Sequence, residues 1–302
     1  MKNDVKVILK ATLVMLLWGS LFPCIKMGYR YFNIDSGHIP SLLLFAGIRF
    51  LLCGLILTMI CGARRERMRL SSKKEWLPLI GVAGFAVVLH YACTYTGLSM
   101  VESGKTALLK QLGALLFICF SFVFFKEDKF SIFKLAAAGL GLCGILVLNL
   151  DGANGHFSLG LGELLVIVAS LCTVLSNVFG KRLTRTMAPL VMTGYSQLLG
   201  GVLLCIAGLL GAGRFGTFSW QGAVVFAYIL FASCMGYGMW YSLLRTNDLS
   251  KLFIIKFAEP LFACLFGALL LHEDIFNIRY LLAFLLISGG ILLSNATVKR
   301  KN

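Results

Sequence analysis

An all-α polytopic membrane protein, with ten transmembrane helices arranged as two inverted five-helix repeats, is the fold class the sequence predicts. Composition is the first reason: 59% of the 302 residues are hydrophobic, 14% are charged and the mean hydropathy is +0.87. A soluble domain carries roughly 45–50% apolar residues. Second, apolar runs of about 20 residues, enough to cross roughly 30 Å of hydrocarbon, follow one another from end to end. Third, residues 91–149 recur without a gap at 237–295, at a constant offset of 146. Tyr91/Tyr237, Tyr95/Tyr241, Lys105/Lys251, Lys110/Lys256, Glu127/Glu273 and Asp128/Asp274 all fall in register. Random apolar sequence would match leucines, but it would rarely align two lysines and an acidic pair, so the chain is a duplicated half.

The spans are predicted at 7–31, 41–61, 76–98, 104–125, 131–149, 160–180, 189–211, 219–243, 250–271 and 277–296. Helices are the expected spanning form, because the runs are too long and too uniformly apolar for the alternating strands of a barrel. The first run follows Lys2, Lys6 and Lys10 as a signal peptide would, yet Trp18-Gly19-Ser20 and Pro23 offer no small-x-small cleavage pattern, so it is expected to be retained. Gly19 and Pro23 are expected to kink it. The second span carries Arg49 at mid-depth, and Arg64 to Glu75 forms the longest polar loop. Five spans per half is an odd number, which makes the second half enter the membrane from the opposite side. The halves are 1–150 and 157–298, joined by the polar, Gly-rich stretch at 151–156.

The formal net charge of +15 is distributed as a membrane protein distributes it, not as a nucleic-acid binder does. With the N-terminus in the cytoplasm, the basic clusters at 2–10, 64–74, 126–134, 181–185 and 299–301 lie inside, and only Lys26, Arg30, Lys105, Arg214 and Arg279 lie outside. The positive-inside rule therefore predicts a multi-pass membrane protein with both termini cytoplasmic. The ten cysteines are spread singly within spans with no C-x-x-C, so they are expected to pack as small hydrophobes, without disulfides or metal. No cofactor is implied. No P-loop is present, and Gly104-Lys105-Thr106 echoes only its tail.

Trp18-Gly19-Ser20-Leu21-Phe22-Pro23-Cys24-Ile25-Lys26 resembles the W-G-x-x-F-x-x-x-K opening of the EamA family within the drug/metabolite transporter superfamily. Ala258-Glu259-Pro260-Leu261-Phe262-Ala263, with Leu271-His272-Glu273 after it, is similar to that family's proline-containing ninth span and its closing acidic residue, and Phe125-Lys126-Glu127 matches the same closing position in the first half. The resemblance covers essentially the whole chain. It implies an inner-membrane secondary carrier for small metabolites, often amino acids, with a central cavity lined by spans 1 to 4 and 6 to 9 and with spans 5 and 10 peripheral. Gly113-Ala114 departs from it, standing where the second half has Glu259-Pro260.

The residues themselves suggest where such a cavity would act. A lysine at mid-span costs about 2.5–3.5 kcal/mol on insertion scales and is tolerated where it faces protein or a water-filled path. Lys110 and Lys256 are such residues, and their repeat relationship puts them on opposite walls of one cavity as anchors for a carboxylate or phosphate. Glu259, three residues after Lys256, either neutralises it or contacts substrate, and Gln111 adjoins Lys110. Arg49 either binds substrate or holds the carbonyls of a neighbouring helix. Tyr91 and Tyr95 share one helical face, as do Tyr237 and Tyr241, and each pair is either a cavity wall or an interfacial belt. Trp18 and Trp240 divide in the same way. Lys105 and Lys251, at span ends, are expected to reach water. His90 is either a proton carrier or a hydrogen-bonded core histidine. Asn177 and Gln197 add polar edges. Glu127-Asp128 and Glu273-Asp274 sit a bilayer apart, which suits span termination rather than acid/base chemistry.

The function expected from these residues is secondary transport of a small metabolite, an amino acid or related carboxylate, by alternating access, with Glu259 or His90 exchanging a proton. Alternatives are a broad drug exporter, a carrier of phosphorylated metabolites, and a membrane receptor or regulatory protein. The scattered His38, His90, His156 and His272 give little support to an enzyme. Expected partners are the lipid bilayer and a small-molecule substrate; the sequence does not specify an oligomeric state.

Overall fold

The computed structural model describes residues 2–66, 73–124, 132–148, 150–151, 156–157, 159–184, 186–246, 255–256, 258–274 and 277–299. Among them run ten helices: α1 (Lys2–Tyr31), α2 (Ile39–Ala63), α3 (73–100), α4 (Ser103–Phe124), α5 (Ile132–Leu148), α6 (Leu161–Leu183), α7 (Pro189–Leu210), α8 (Trp220–Thr246), α9 (Ala258–Leu271) and α10 (Ile278–Lys299). Ile255 and Lys256, just ahead of α9, are also helical. Each predicted span overlaps one helix among the described residues, and 250–254 of the ninth lie outside them. Lys251, Glu127 and Asp128 lie outside the described residues. At the junction of the halves, β1 (Leu150–Asp151) pairs antiparallel with β2 (His156–Phe157), a ladder that the all-helical expectation did not contain.

Six helical stretches are long and apolar enough to cross a membrane by themselves, among them Val5–Tyr31, Ile39–Ala63 and Pro189–Leu210. Their outward faces carry large apolar side chains such as Leu210 (85% exposed) and Phe231 (56%), and the shorter α9 does the same with Leu269 (63%). A water-soluble surface does not leave such a continuous apolar coat, whereas hydrocarbon is its natural solvent. The fold is therefore apolar both inside and out, and helix association has to come from close packing of backbones.

That packing is tightest between α2 and α7. A Cβ added at Gly201 would sit 2.4 Å from the Leu51 nitrogen, at Gly54 2.5 Å from the Leu198 nitrogen, and at Gly47 2.6 Å from the Cys205 nitrogen. Glycine is what lets the two backbones touch. The peripheral pair α5 and α10 also meets at a glycine, where a Cβ added at Gly144 would lie 2.7 Å from the Ile287 side chain and 3.2 Å from the Ala283 carbonyl. Helix α1 packs on α8 and α9, while α6 packs on α3 and α4. Each contact thus recurs between the corresponding helices of the other half.

Two helices carry irregularities that bear on the interior. Helix α1 continues through Pro23 as one helix, and Gly19 admits α9, whose Phe262 Cβ and Glu259 carbonyl would lie 2.6 and 2.8 Å from an added Cβ. Close approach of α9 is what Gly19 provides. Helix α3 is α-helical at Lys73–Val82, π-helical at Ala83–Leu89 and α-helical again from His90. A π segment rotates the following turn relative to the preceding one, and such segments recur at functional sites.

Candidate functional site

A cavity of about 160 Å³ lies where α1, α2, α3, α4, α6, α8 and α9 converge. Trp18, Leu21, Phe22 and Ile25 come from α1, and Arg49 comes from α2. Helix α3 gives Ala86 from within its π segment and His90, Tyr91, Thr94, Tyr95 and Leu98 after it. Lys110 and Gln111 enter from α4, Thr173 and Ser176 from α6, Tyr237 and Trp240 from α8, and Lys256 and Glu259 from the α9 region. Among the described residues, neither α5 nor α10 contributes a lining residue, and neither does α7, although the resemblance placed the seventh span at the wall.

The wall is an aromatic box. Trp18 meets both Tyr237 and Trp240 in tilted contacts at 5.4 Å centroid separation, and the Phe50 and Tyr91 ring centroids lie 4.2 Å apart. Gly236 makes room for Trp18, since an added Cβ would stand 2.4 Å from its indole nitrogen. Tyr91 and Tyr237 join hydroxyl to hydroxyl. Tyr95 is fully buried, which removes the interfacial-belt alternative for it. The side chain of Tyr241 lies outside the described residues, as does that of Asn177.

Three polar groups within this box lack a hydrogen-bond partner among the described residues. Lys110 makes no hydrogen bond or ion pair among the described residues; its ammonium lies 5.1 Å from the Phe22 ring and 5.9 Å from the Tyr91 ring. Gln111, 2% exposed, has an Oε1 with no hydrogen-bond partner, and Thr94, also 2% exposed, has an Oγ1 in the same state. Glu259 is buried beside them. Orphaned polar atoms at a buried wall cost about 1–3 kcal/mol each unless water or a ligand completes them. The site therefore offers an unpaired donor at Lys110, unpaired oxygens at Gln111 and Thr94, and a carboxylate at Glu259.

His90 is differently placed. Its Nδ1 donates to the Ala169 carbonyl at 2.8 Å and lies 3.2 Å from the Thr173 hydroxyl, which fixes the tautomer with Nε2 as acceptor. The core-histidine alternative describes these bonds, although the ring also borders the cavity.

The end of α1 remote from Lys2 is closed by charge. Lys26 pairs with Glu273 at 2.9 Å, and the same carboxylate accepts from the Ser103 backbone nitrogen (2.9 and 3.0 Å) and hydroxyl (2.9 Å) at the start of α4. The left-handed His272 (φ 56°) turns the chain back toward α9, where Glu273 Oε2 occupies the space a Gly267 Cβ would take, 2.5 Å away. Lys105, expected to reach water, instead pairs with Glu163 at 2.8 Å, and Tyr280 donates to Glu102. Glu273 thus ends its span, as expected, and also ties α1, α4 and α9 together.

Thr94 was not singled out from the sequence, though it shares the face of Tyr91 and Tyr95 and helical periodicity points to it. Thr173 and Ser176 carried no sequence signal. The described cysteines are free, but Cys53 and Cys234 bring their sulfurs to 3.2 Å between α2 and α8, a proximity that single spacing could not reveal.

Comparison with known proteins gives consistent results. The model of the EamA-like transporter family matches twice, over residues 5–150 and 160–295. The "Uncharacterized transporter YoaV" of Bacillus subtilis (strain 168) is 29% identical over 98% of this chain and 99% of its own. The "Uncharacterized transporter YvbV" of the same organism is 26% identical over 95% and 90%. The "Probable amino-acid metabolite efflux pump" of Escherichia coli (strain K12) is 27% identical over 92% and 91%. Among solved structures, one crystal structure superposes with a TM-score of 0.68 over 99% of both chains at 18% identity, a likeness of fold.

Proposed function

Since the chain belongs to the EamA-like transporter family and is a multi-pass membrane protein, we propose that it is a secondary carrier moving a small amino acid or related carboxylate by alternating access. The observation that carries this reading is the cavity where Lys110, without a hydrogen-bond partner among the described residues, lies with Gln111 and Glu259. In the proposed complex the substrate carboxylate binds Lys110 and Lys256, and its ammonium binds Glu259 and the Gln111 oxygen. Its apolar part rests against Trp18, Tyr91, Tyr95 and Tyr237. The printed name of the Escherichia coli relative supports an amino-acid-like substrate.

The 146-residue repeat and the reciprocal pairing of α1 with α8 and α9, and of α6 with α3 and α4, support two inverted halves, 1–150 and 157–298, that exchange conformations around this cavity. The charge asymmetry of the loops supports insertion in the cytoplasmic membrane with both termini cytoplasmic. Glu259 is the proposed proton carrier. His90 is the weaker candidate, because its Nδ1 proton is committed to Ala169.

The test is uptake into sealed proteoliposomes of radiolabelled amino acids, with unlabelled zwitterions and phosphorylated dianions as competitors. Saturable flux of chemically unchanged amino acid, displaced by zwitterions, is the expected result. Displacement only by dianions would move the assignment to phosphorylated metabolites, and flux of quaternary ammonium compounds in preference to both would move it to drug export. Equal rates with and without a pH gradient would remove proton coupling.

A further inference from the structure

Arg49 is a buried charge to which the proposed substrate complex gives no role. It lies near the middle of α2, is 1% exposed and borders the cavity. Its Nε and Nη2 donate to Ser233 Oγ on α8 at 3.0 and 2.8 Å, and its Nη1 donates to the Tyr95 hydroxyl on α3 at 2.5 Å. Its Cζ stands 4.8 Å from the Phe50 ring, 5.8 Å from Tyr91 and 5.9 Å from Tyr95. All of these partners are neutral, and no carboxylate comes within ion-pair distance among the described residues.

The contrast with the other cations is informative. Lys26 and Lys105, near helix ends, each have a carboxylate at 2.9 and 2.8 Å. Arg49, deeper in the bundle, has hydroxyls and rings. A guanidinium keeps its proton in any protein environment, so this charge cannot be relieved by titration. It presents five N–H donors in a fixed fork, and three of them are engaged here. An ionised side chain in the membrane interior without a counter-charge is retained where a polar path or a ligand supplies one. Counted formally, Arg49, Lys110 and Lys256 outweigh Glu259 around one cavity.

We propose that Arg49 is the charge-selecting residue of the cavity. Clamped by Ser233 and Tyr95, it is held at the wall, so its charge is a fixed feature of the site, whereas Lys110 makes no hydrogen bond among the described residues. It admits an occupant bearing an anionic group and disfavours a neutral or cationic one of equal size. This rests on the cavity being the substrate site, and its test needs no substrate.

Trp18 and Trp240 border the same cavity and report on it, while the exposed Trp76 and Trp220 are replaced by phenylalanine. In the full-length protein, quenching by iodide is compared with quenching by neutral acrylamide. A positive cavity concentrates the anion, so Arg49→Gln is expected to lower the iodide constant about threefold while leaving the acrylamide constant nearly unchanged, and Arg49→Lys is expected to keep most of the iodide effect. Arg49→Met is the second neutral variant. Constants that fall together, or an unchanged iodide constant in a variant that melts like its parent, would overturn the proposal. It falls too if neither neutral variant folds while Arg49→Lys does, because the charge is then structural. Failed flux with an intact iodide effect would instead count against the carrier assignment alone.

Discussion

Tyr91 on α3 and Tyr237 on α8 meet hydroxyl to hydroxyl, and they are the same residue of the internal repeat, 146 positions apart. A residue touches its own repeat partner only where the local axis relating the two halves passes between them. The cavity is built around that point, with Lys110 and Lys256, another repeat pair, also in its wall. Removing either tyrosine hydroxyl deletes the same bond, so the effects should not add. Tyr91→Phe and Tyr237→Phe should each cost about 1 kcal/mol, with a coupling of about 0.5–1.5 kcal/mol in the double variant. Denaturation of the four proteins in detergent checks this; strictly additive losses would mean the hydroxyls act independently.

Lys110 should show opposite effects on stability and on binding. Its ammonium is half-buried over Phe22 and Tyr91 without a hydrogen bond among the described residues, so Lys110→Met removes an uncompensated charge and fills similar volume. The melting temperature of the empty protein should hold or rise. Affinity for a carboxylate substrate should fall by roughly 10- to 100-fold, the worth of one charged hydrogen bond. Calorimetric melting and equilibrium binding on the same preparation decide it, and unchanged affinity would make the lysine structural.

Glu273 should behave as a tie between helices. Glu273→Ala leaves Lys26, 20% exposed, without its carboxylate and leaves the start of α4 without its acceptor, which should cost about 3 kcal/mol. Glu273→Gln should cost about half as much, since its amide oxygen still accepts from the Ser103 nitrogen. Both variants should accelerate labelling of Cys264, half-buried beside Gly104 at this end, by an aqueous thiol reagent mapped by mass spectrometry. Labelling at the parent rate would show that the ion pair does not hold this end closed.

The span pattern was legible in the sequence because apolar length is a local property, and much of the cavity wall was legible because duplication marks residues twice. Lys110 and Lys256, or Tyr91 and Tyr237, stand out once the two halves are aligned. Arg49 appeared as a buried charge, but its partners did not, since Ser233 lies 184 positions away and nothing in its surroundings distinguishes it from other serines. The bond between Lys26 and Glu273 spans 247 positions and depends on a left-handed His272 and an empty Gly267 Cβ position. The π segment at Ala83–Leu89 was equally hidden, because an apolar run without a polar marker fits either hydrogen-bond register.

Glycine in this fold has two opposite meanings, and substitution separates them. At Gly201 the α2 backbone is already in contact, with the Leu51 nitrogen 2.4 Å from an added Cβ, and backbone cannot rotate aside as a side chain can. Gly201→Val should therefore part α2 from α7 and abolish recovery of folded protein. At Gly139, on α5, nothing lies within 4 Å of an added Cβ, and the residue is exposed on the outer face. There alanine adds no clash and reduces the backbone freedom lost on folding, so Gly139→Ala should stabilise by about 0.5–1 kcal/mol. Size-exclusion recovery and thermal melting of the two variants side by side provide the check. A well-folded Gly201→Val would show that α2 and α7 are not held backbone to backbone.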